Sequence, residues 1–296
     1  MKEITDIVLK PNSREEWLPQ LSPDFPYTAS RALLDQYDVT WHWHRAVELF
    51  YMESGTLEYH TPGGTLLFPQ GTGGLVNTGV LHTSRPRSDT GRTIQLLHLF
   101  DPSFIAGPVG GRIECTYVAP FLASFVEILP VFPNGQLEER VLKDLRESFD
   151  LSEGEWGYEI RLRDRLSSIW VQLLRLPQPA QRRDPVRDDA VKAMLAHIHE
   201  HYPEPLRVQD LAAAAFISQR ECYRLFQQTL HTTPMAYLRG YRLQMARRLL
   251  TESEESVTRI GSLCGFDSSS AFIRSFRETT GFTPSRYRQN WQERNS

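Results

Sequence analysis

Three histidines and one glutamate in the first third of the chain have the residue types of a metal or polar-ligand site. His42, His44 and Glu48 follow the pattern H-x-H-x3-E, and His82 lies further along. On an extended strand, His42 and His44 point to one face, and Glu48 four residues later returns to it. Imidazole nitrogens and a carboxylate oxygen suit a divalent transition metal. The four side chains are therefore a candidate metal site.

The same four residues have two other interpretations, which the sequence leaves open. They could bind a small-molecule effector through hydrogen bonds without a metal, or they could fill the interior structurally. The neighbouring Trp41, Trp43 and Tyr51 could stack on a sugar ring, but core packing is the commoner role of such aromatic residues. A sugar or a related metabolite is thus one class of candidate effector.

The elements that must hold these residues change in character along the chain. Short apolar runs separated by glycine and proline predict strands over residues 20–115, in a sandwich or small barrel. Residues 116–176 show helical periodicity, and these helices could cover the barrel or pair with a second subunit. The proline-rich stretch 177–187 predicts a linker between a domain at 1–176 and a helical domain at 188–296.

The helical periodicity of residues 116–176 lies in two stretches. Each has apolar residues at the spacing of one helix face. They are Leu137, Val141, Leu145 and Phe149, and then Ile160, Leu162, Leu166, Ile169, Leu173 and Leu174.

The C-terminal third contains an internal repeat. From Ser218 onward, matching residues recur at a constant offset of 50, and before it at 49. Each copy predicts a helix, a short turn and a second helix, and the helix from Pro234 to about Leu250 joins the copies. The matching elements are Leu211-Ala212, Ser218, Arg224, Phe226 and Thr233-Pro234-x-x-Tyr237 against Ile260-Gly261, Ser268, Arg274, Phe276 and Thr283-Pro284-x-x-Tyr287.

The second helix of each copy is predicted to present polar side chains outward. Arg can pair with guanine, Gln with adenine, and an exposed Ile can meet a thymine methyl group. Two helix-turn-helix units on a connector about 25 Å long suit two major-groove segments. The candidate DNA-binding residues are Ser218, Gln219, Arg220, Tyr223, Arg224, Ser268, Ser269, Ser270, Ile273, Arg274 and Arg277. The connector arginines, Arg239, Arg242, Arg247 and Arg248, are interpreted as structural or phosphate-facing.

The charge distribution supports the predicted division into an N-terminal domain and a helical, DNA-binding C-terminal domain. Residues 186–296 hold 15 Lys and Arg against 12 Asp and Glu, whereas residues 1–185 have a balance of −6. Residues 218–250 hold six Arg against one Glu. A local basic surface attracts the phosphate backbone of nucleic acids.

The stretch 206–289 closely resembles the DNA-binding domain of the AraC/XylS regulator family. The resemblance is carried by Ile260-Gly261, Cys264 to Ser268, Phe272 to Arg277, Gly281 to Ser285, and Tyr287-Arg288. It implies an effector-responsive transcription factor, commonly an activator of nearby metabolic genes. The implied partners are double-stranded DNA, RNA polymerase and a second copy of the chain in a homodimer.

The histidine pattern resembles the first motif of the cupins, so the family resemblance extends to a cupin-like effector domain. The expected fold is an α+β two-domain chain. A cupin-like β-barrel with covering or dimerisation helices would precede an all-α domain with two helix-turn-helix units. The alternative is a cupin metalloenzyme with an appended helical domain, which explains the histidines but not the repeat. The preferred interpretation is a regulator rather than an enzyme.

Two further observations bear on location. Cys115, Cys222 and Cys264 match neither a zinc-finger spacing nor a disulfide framework, which favours a reducing compartment. The sequence has no apolar run of about 18 residues and no apolar signal segment at its start. A cytoplasmic location without membrane contact is therefore expected.

Overall fold

The computed structural model describes residues 1–4, 7–10, 14–34, 39–87, 91–108, 110–124, 126–178, 185–230 and 232–295. The chain divides into two compact units, Met1–Asp188 and Asp189–Ser296. The predicted linker 177–187 falls largely on residues 179–184, which lie outside the described residues. Helix α5 begins at Pro185, inside the stretch expected to be linker.

The first unit contains two β-sheets. The described strands are β1 Lys2–Ile4, β2 Tyr27–Leu33, β3 Val39–His42, β4 Val47–Ser54, β5 Thr56–Thr61, β6 Gly64–Pro69, β7 Gly73–Val76, β8 His82–Pro86, β9 Ile94–Phe100 and β10 Ile128–Val131. One sheet has the order β1-β2-β9-β4-β7-β10 and the other β3-β8-β5-β6. The described strands thus form two facing sheets, which confirms the predicted β-rich N-terminal domain, although they do not close into a single barrel. Strand β10 also lies in the region predicted to be helical.

A core fills the space between the sheets. Along β4, side chains alternate: Phe50 and Met52 point inward with Glu48, whereas Leu49 points to the opposite face. The inner residues pack against Leu57 and Phe68 of the smaller sheet. The period of two therefore places one carboxylate, Glu48, inside an apolar layer.

Helices cover the other face of the larger sheet. Those of the first unit are α1 Ser103–Ala106, α2 Ala119–Leu122, α3 Gln136–Ser148 and α4 Tyr158–Leu173, and a π-helical turn spans Glu114–Val118. Buried residues of α3 and α4 join one cluster with the sheet, among them Leu145 and Leu166. Of the predicted stripe, Ile160 is instead 77% exposed. The helices thus act at least as a cover for the sheet.

The second unit is helical. Its helices are α5 Pro185–His201, α6 Val208–Ala214, α7 Gln219–Leu230, α8 Pro234–Glu252, α9 Val257–Leu263, α10 Ser269–Thr280 and α11 Pro284–Asn295. Helices α6 and α7 form the first helix-turn-helix, and α9 and α10 the second. In the described chain, no helix combines the length and hydropathy needed to cross a bilayer.

The repeat recurs in the packing. Phe226 meets Tyr237 edge-on at 5.9 Å between ring centroids, and Phe276 meets Tyr287 in the same way at 5.4 Å. The first pair joins α7 to α8 and the second joins α10 to α11, and equivalent residues are 50 positions apart. The two copies therefore share one core design.

Candidate functional site

The four residues predicted as a ligand site lie together between the two sheets. Each of His42, His44, Glu48 and His82 is at most 4% exposed. His42 ends β3 and pairs directly with His82, the first residue of β8. This cross-strand pairing brings His82 beside His42 although the two are 40 residues apart in the sequence. His44 lies in the connection between β3 and β4, so the expected strand alternation does not place it beside His42.

Backbone contacts orient all three imidazoles alike. Nδ1 of His42, His44 and His82 lies 2.9 Å from the carbonyl oxygens of Thr40, Ala46 and Val80, respectively. These carbonyls accept hydrogen bonds from Nδ1, so Nε2 is the atom left to face the interior. One ring nitrogen from each lies within 4.8 Å of the others. Such fixing of the remote nitrogen is typical of metal-binding histidines.

Glu48 lies at the edge of this cluster. Its Oε2 is 3.2 Å from Nε2 of His44 and 3.7 Å from Nε2 of His82, while Tyr59 donates its hydroxyl to Oε1 at 2.7 Å. Gln95 in turn donates to the Tyr59 hydroxyl oxygen. The carboxylate is therefore held in one orientation by a buried network.

The electrostatics of the cluster favour a charged Glu48. Burial opposes ionisation, but the neighbouring His44 and His82 hold the pKa of Glu48 well below its usual range. Burial, with the neighbouring His82 and His44, keeps the pKa of His42 well below the ordinary value. Burial opposes the charged form of His44 too, yet Glu48 raises its pKa.

One buried atom of the cluster has a charged neighbour but no hydrogen bond within the described part of the chain: Nε2 of His82, which lies 3.7 Å from Oε2 of Glu48. A buried polar atom without a hydrogen bond is uncommon and often marks a missing ion or water. The three imidazole nitrogens, with the Glu48 carboxylate beside those of His44 and His82, thus fit a divalent transition metal.

The cluster borders a small cavity of about 40 Å³. That volume holds only two or three water-sized bodies, so a sugar would require the cavity to open. Aliphatic side chains form much of its wall, whereas Trp41, Trp43 and Tyr51 are absent from its described lining. The sequence did not identify the other polar residues of that lining, Tyr59, Ser84, Gln95 and Glu16; of these, Glu16 is 9% exposed. Burial raises the pKa of Glu16 to about 7; His44 lowers it and Glu48 raises it.

A second candidate site lies on helices α7 and α10. In α7 the residues Cys222, Leu225 and Phe226 are buried, as the helical spacing predicts. The hydroxyl oxygens of Ser218 and Ser268 accept hydrogen bonds from the third residue beyond each, at 3.1 and 3.2 Å.

The predicted DNA-binding residues on α7 and α10 are accessible. They are all exposed except Ser269, which is half-buried, and they comprise Ser218, Gln219, Arg220, Tyr223, Arg224, Ser268, Ser269, Ser270, Ile273, Arg274 and Arg277.

Two arginines of the second unit differ in their contacts. Arg242 donates to the carbonyl oxygens of Tyr202 and Glu204 at 2.8 and 2.7 Å, and so ties α8 to the end of α5. Arg224 instead binds the carboxylate of Glu221 and the amide of Gln228 on its own helix. Arg242 is therefore structural, whereas Arg224 remains on the outward surface.

Comparisons with known proteins agree with the division of the chain into two units. Residues 26–109 match a family model described as an AraC-like ligand binding domain, and residues 211–290 match one described as a helix-turn-helix domain. The "Uncharacterized HTH-type transcriptional regulator YdeC" of Bacillus subtilis is 27% identical over 84% of this chain and 85% of its own length.

Two further relatives match smaller parts. The "HTH-type transcriptional activator RhaS" of Escherichia coli O139:H28 is 30% identical over 57% of this chain, which spans 64% of that protein. The crystal structure of a transcriptional regulator with an AraC-type DNA-binding domain, from Chromobacterium violaceum, is 34% identical. That match covers 36% of this chain and 92% of the other, with a TM-score of 0.33. The two family models, supported by the match to YdeC over most of both chains, show that the chain belongs to the AraC-type family of DNA-binding transcriptional regulators that carry a ligand-binding domain.

Proposed function

We propose that this regulator reads specific base sequences through α7 and α10 and activates nearby metabolic genes in response to a ligand in its N-terminal domain. The observation that supports it most is the duplicated helix-turn-helix, in which each second helix is fixed by a buried face and capped by a serine. Rigid placement of a polar helix face is what major-groove reading requires.

Arg274 is the residue proposed to contribute most to base choice in the second copy. It is exposed beside Ile273, on the face of α10 opposite the buried Phe272 and Phe276. A bidentate arginine–guanine pair contributes about 1–3 kcal/mol of discrimination. Ser218, Gln219, Arg220, Tyr223 and Arg224 would serve the first copy, and Ser268, Ser269, Ser270, Ile273 and Arg277 would complete the second.

The test is a fluorescence anisotropy titration of the full chain against its upstream DNA and a random duplex, at two salt concentrations. We expect tighter, steeply salt-dependent binding to the upstream DNA. Arg274→Ala should weaken that binding by about 1–3 kcal/mol and relax base preference at one position. Arg286→Ala, on α11, is the control that should leave base preference unchanged. Equal losses on both duplexes for Arg274→Ala would contradict a base-reading role.

The ligand site of the proposal is the cluster of His42, His44, Glu48 and His82. The fit of its donor atoms favours a divalent transition metal over a metal-free polar ligand, because Nε2 of His82 is left without a hydrogen bond and the cavity is small. When bound, the ion would supply charge to draw the three imidazoles and the carboxylate together. The structural-filler interpretation leaves that buried nitrogen unexplained.

The proposal extends to the partners of an activator. Activation requires contact with RNA polymerase, and exposed apolar residues on α4, Ile160 and Val171, offer surface for a homodimer. A protein that binds chromosomal DNA works where that DNA is, so the proposal includes a cytoplasmic location.

A metalloenzyme is the second candidate, supported by the same three histidines. The cavity of about 40 Å³ leaves little room for a substrate. Turnover of a small molecule by the metal-loaded chain, without specific DNA binding, would favour this alternative.

A further inference from the structure

The segment Arg14–Trp17 lies directly beside the histidine cluster. The backbone N–H of Glu16 donates to the carbonyl oxygen of Trp43 at 2.8 Å. In return, the N–H of Trp43 donates to the carbonyl oxygen of Arg14 at 2.9 Å. Arg14 also donates through its guanidinium to the Thr40 hydroxyl oxygen at 2.5 Å. The segment is thus fastened to the stretch that carries His42 and His44.

These bonds bring the side chain of Glu16 to the wall of the cavity. Its neighbours in that wall include His42, Glu48 and His82, and it interacts electrostatically with His44 and Glu48. The adjacent Glu15 has different partners: its carboxylate meets Lys10 at 2.5 Å and Arg45 at 3.5 Å. Two consecutive glutamates therefore have different environments.

The charged side chains that line the cavity, apart from its histidines, are acidic. Among its described lining residues, Glu16 and Glu48 are the carboxylates, and neither lysine nor arginine is present. Burying an ion is costly unless opposite charge compensates it. One divalent cation with neutral imidazoles is balanced by two carboxylates, whereas Glu48 alone would leave a net positive charge in a largely aliphatic wall.

We propose that Glu16 supplies the second carboxylate charge beside the metal site, so that loading the ion strengthens the attachment of the segment Arg14–Trp17 to the histidine cluster. The inference rests on the metal site of the proposed function and adds a residue to it. Sequence reasoning could not find Glu16, because an acidic pair so close to the start of the chain resembles an exposed charged surface.

The experiment compares the full chain with Glu16→Gln, Glu16→Asp and the matched control Glu15→Gln, all freed of metal by chelation. Co(II) serves as the spectroscopic probe of nitrogen ligation, and Zn(II) affinity is measured by competition with a chromophoric chelator. We expect one ion per wild-type chain, with a 10- to 100-fold loss of Zn(II) affinity for Glu16→Gln, the range typical of groups that support a metal's ligands. Glu15→Gln should match the wild type, and Glu16→Asp should recover part of the loss.

A second readout follows the segment itself. Trp17 is exposed, so chymotryptic cleavage after it reports on fastening of the segment. Zn(II) should slow that cleavage in the wild type and in Glu15→Gln, but not in Glu16→Gln. The circular dichroism of each variant checks that it folds.

The outcomes separate the two proposals. If the wild type binds no ion, both the metal site and the role of Glu16 are overturned. If the wild type binds one ion and Glu16→Gln binds it equally well with the same protection, only the role of Glu16 is overturned.

Discussion

Buried histidines of the N-terminal unit take two roles, which their ring nitrogens distinguish. His42, His44 and His82 each use Nδ1 on a backbone carbonyl. His98 uses both nitrogens within the fold: Nδ1 accepts from the Tyr27 hydroxyl at 2.6 Å, and Nε2 donates to Ser148 at 2.7 Å. The Ser148 hydroxyl donates onward to the Leu145 carbonyl oxygen, so its oxygen is the acceptor for Nε2 of His98. His98 therefore links the sheet to α3.

The titration of His98 predicts a pH dependence of stability. Burial lowers its pKa to about 3, whereas an unfolded histidine titrates near 6.5. The unfolded chain thus takes up the proton first, so this contribution is complete above about pH 6.5 and is lost as the pH falls toward 3, by at most about 1.4 kcal/mol per pH unit.

His98→Gln removes this titration and keeps a donor for Ser148, so its stability should fall less steeply between pH 6.5 and 5. Urea unfolding of the full chain by tryptophan fluorescence measures this, because five of the six tryptophans lie in residues 1–188. His197→Gln, in the other unit, is the control and should keep the wild-type slope. Identical slopes for all three proteins would refute the assignment.

The turns of the two helix-turn-helix units differ at one equivalent position. Phe216 adopts φ +55° and is 96% exposed, while Gly265, 49 residues later, adopts φ +77°. A side chain in the left-handed region costs about 1–2 kcal/mol. The first turn tolerates it because Phe216 faces solvent; at Gly265 a Cβ would lie 2.7 Å from the Tyr202 carbonyl oxygen.

Opposite effects on thermal stability follow for the two turns. Phe216→Gly should raise the free energy of unfolding of the C-terminal unit by about 1 kcal/mol, since it relieves the backbone and loses no burial. Gly265→Ala should lower it by more than that, because it adds strain and a backbone clash. Thermal unfolding followed at 222 nm compares them with the wild type. Destabilisation by Phe216→Gly would mean that the exposed ring has a packing partner.

Local patterns and distant contacts differ in how well the sequence reveals them. The buried face of α7 and the repeat were predictable, because helical spacing and a constant offset are local properties. Three features were not: the partnership of β10 with β7, the exposure of Ile160, and the approach of Glu16 to the histidines. Each depends on which segments meet across the fold, and neither composition nor periodicity contains that information. His82 was predictable as a residue type, but only its pairing with His42 explains its position.

At the scale of the whole molecule, the acidic and basic sequence regions correspond to two compact units with different ligands. The proposed ligand lies within the first unit, and the candidate base-reading residues lie on α7 and α10 of the second. Regulation therefore requires that the ligand have different affinity for at least two states of the chain. Such a coupling is reciprocal: if the ion changes DNA affinity by a factor, DNA must change ion affinity by the same factor.

We expect Zn(II) to change the affinity for upstream DNA by about 5- to 150-fold, the usual range of coupling between sites. The affinity for DNA is measured by anisotropy with and without saturating Zn(II), and the affinity for Zn(II) by competition with and without DNA. His82→Gln, which removes a proposed ligand, should make DNA binding insensitive to the ion and so controls for metal bound elsewhere. Two equal factors in the wild type would establish the ion as an effector. Metal binding with no effect on DNA affinity would instead assign the cluster a structural role and contradict the regulatory one.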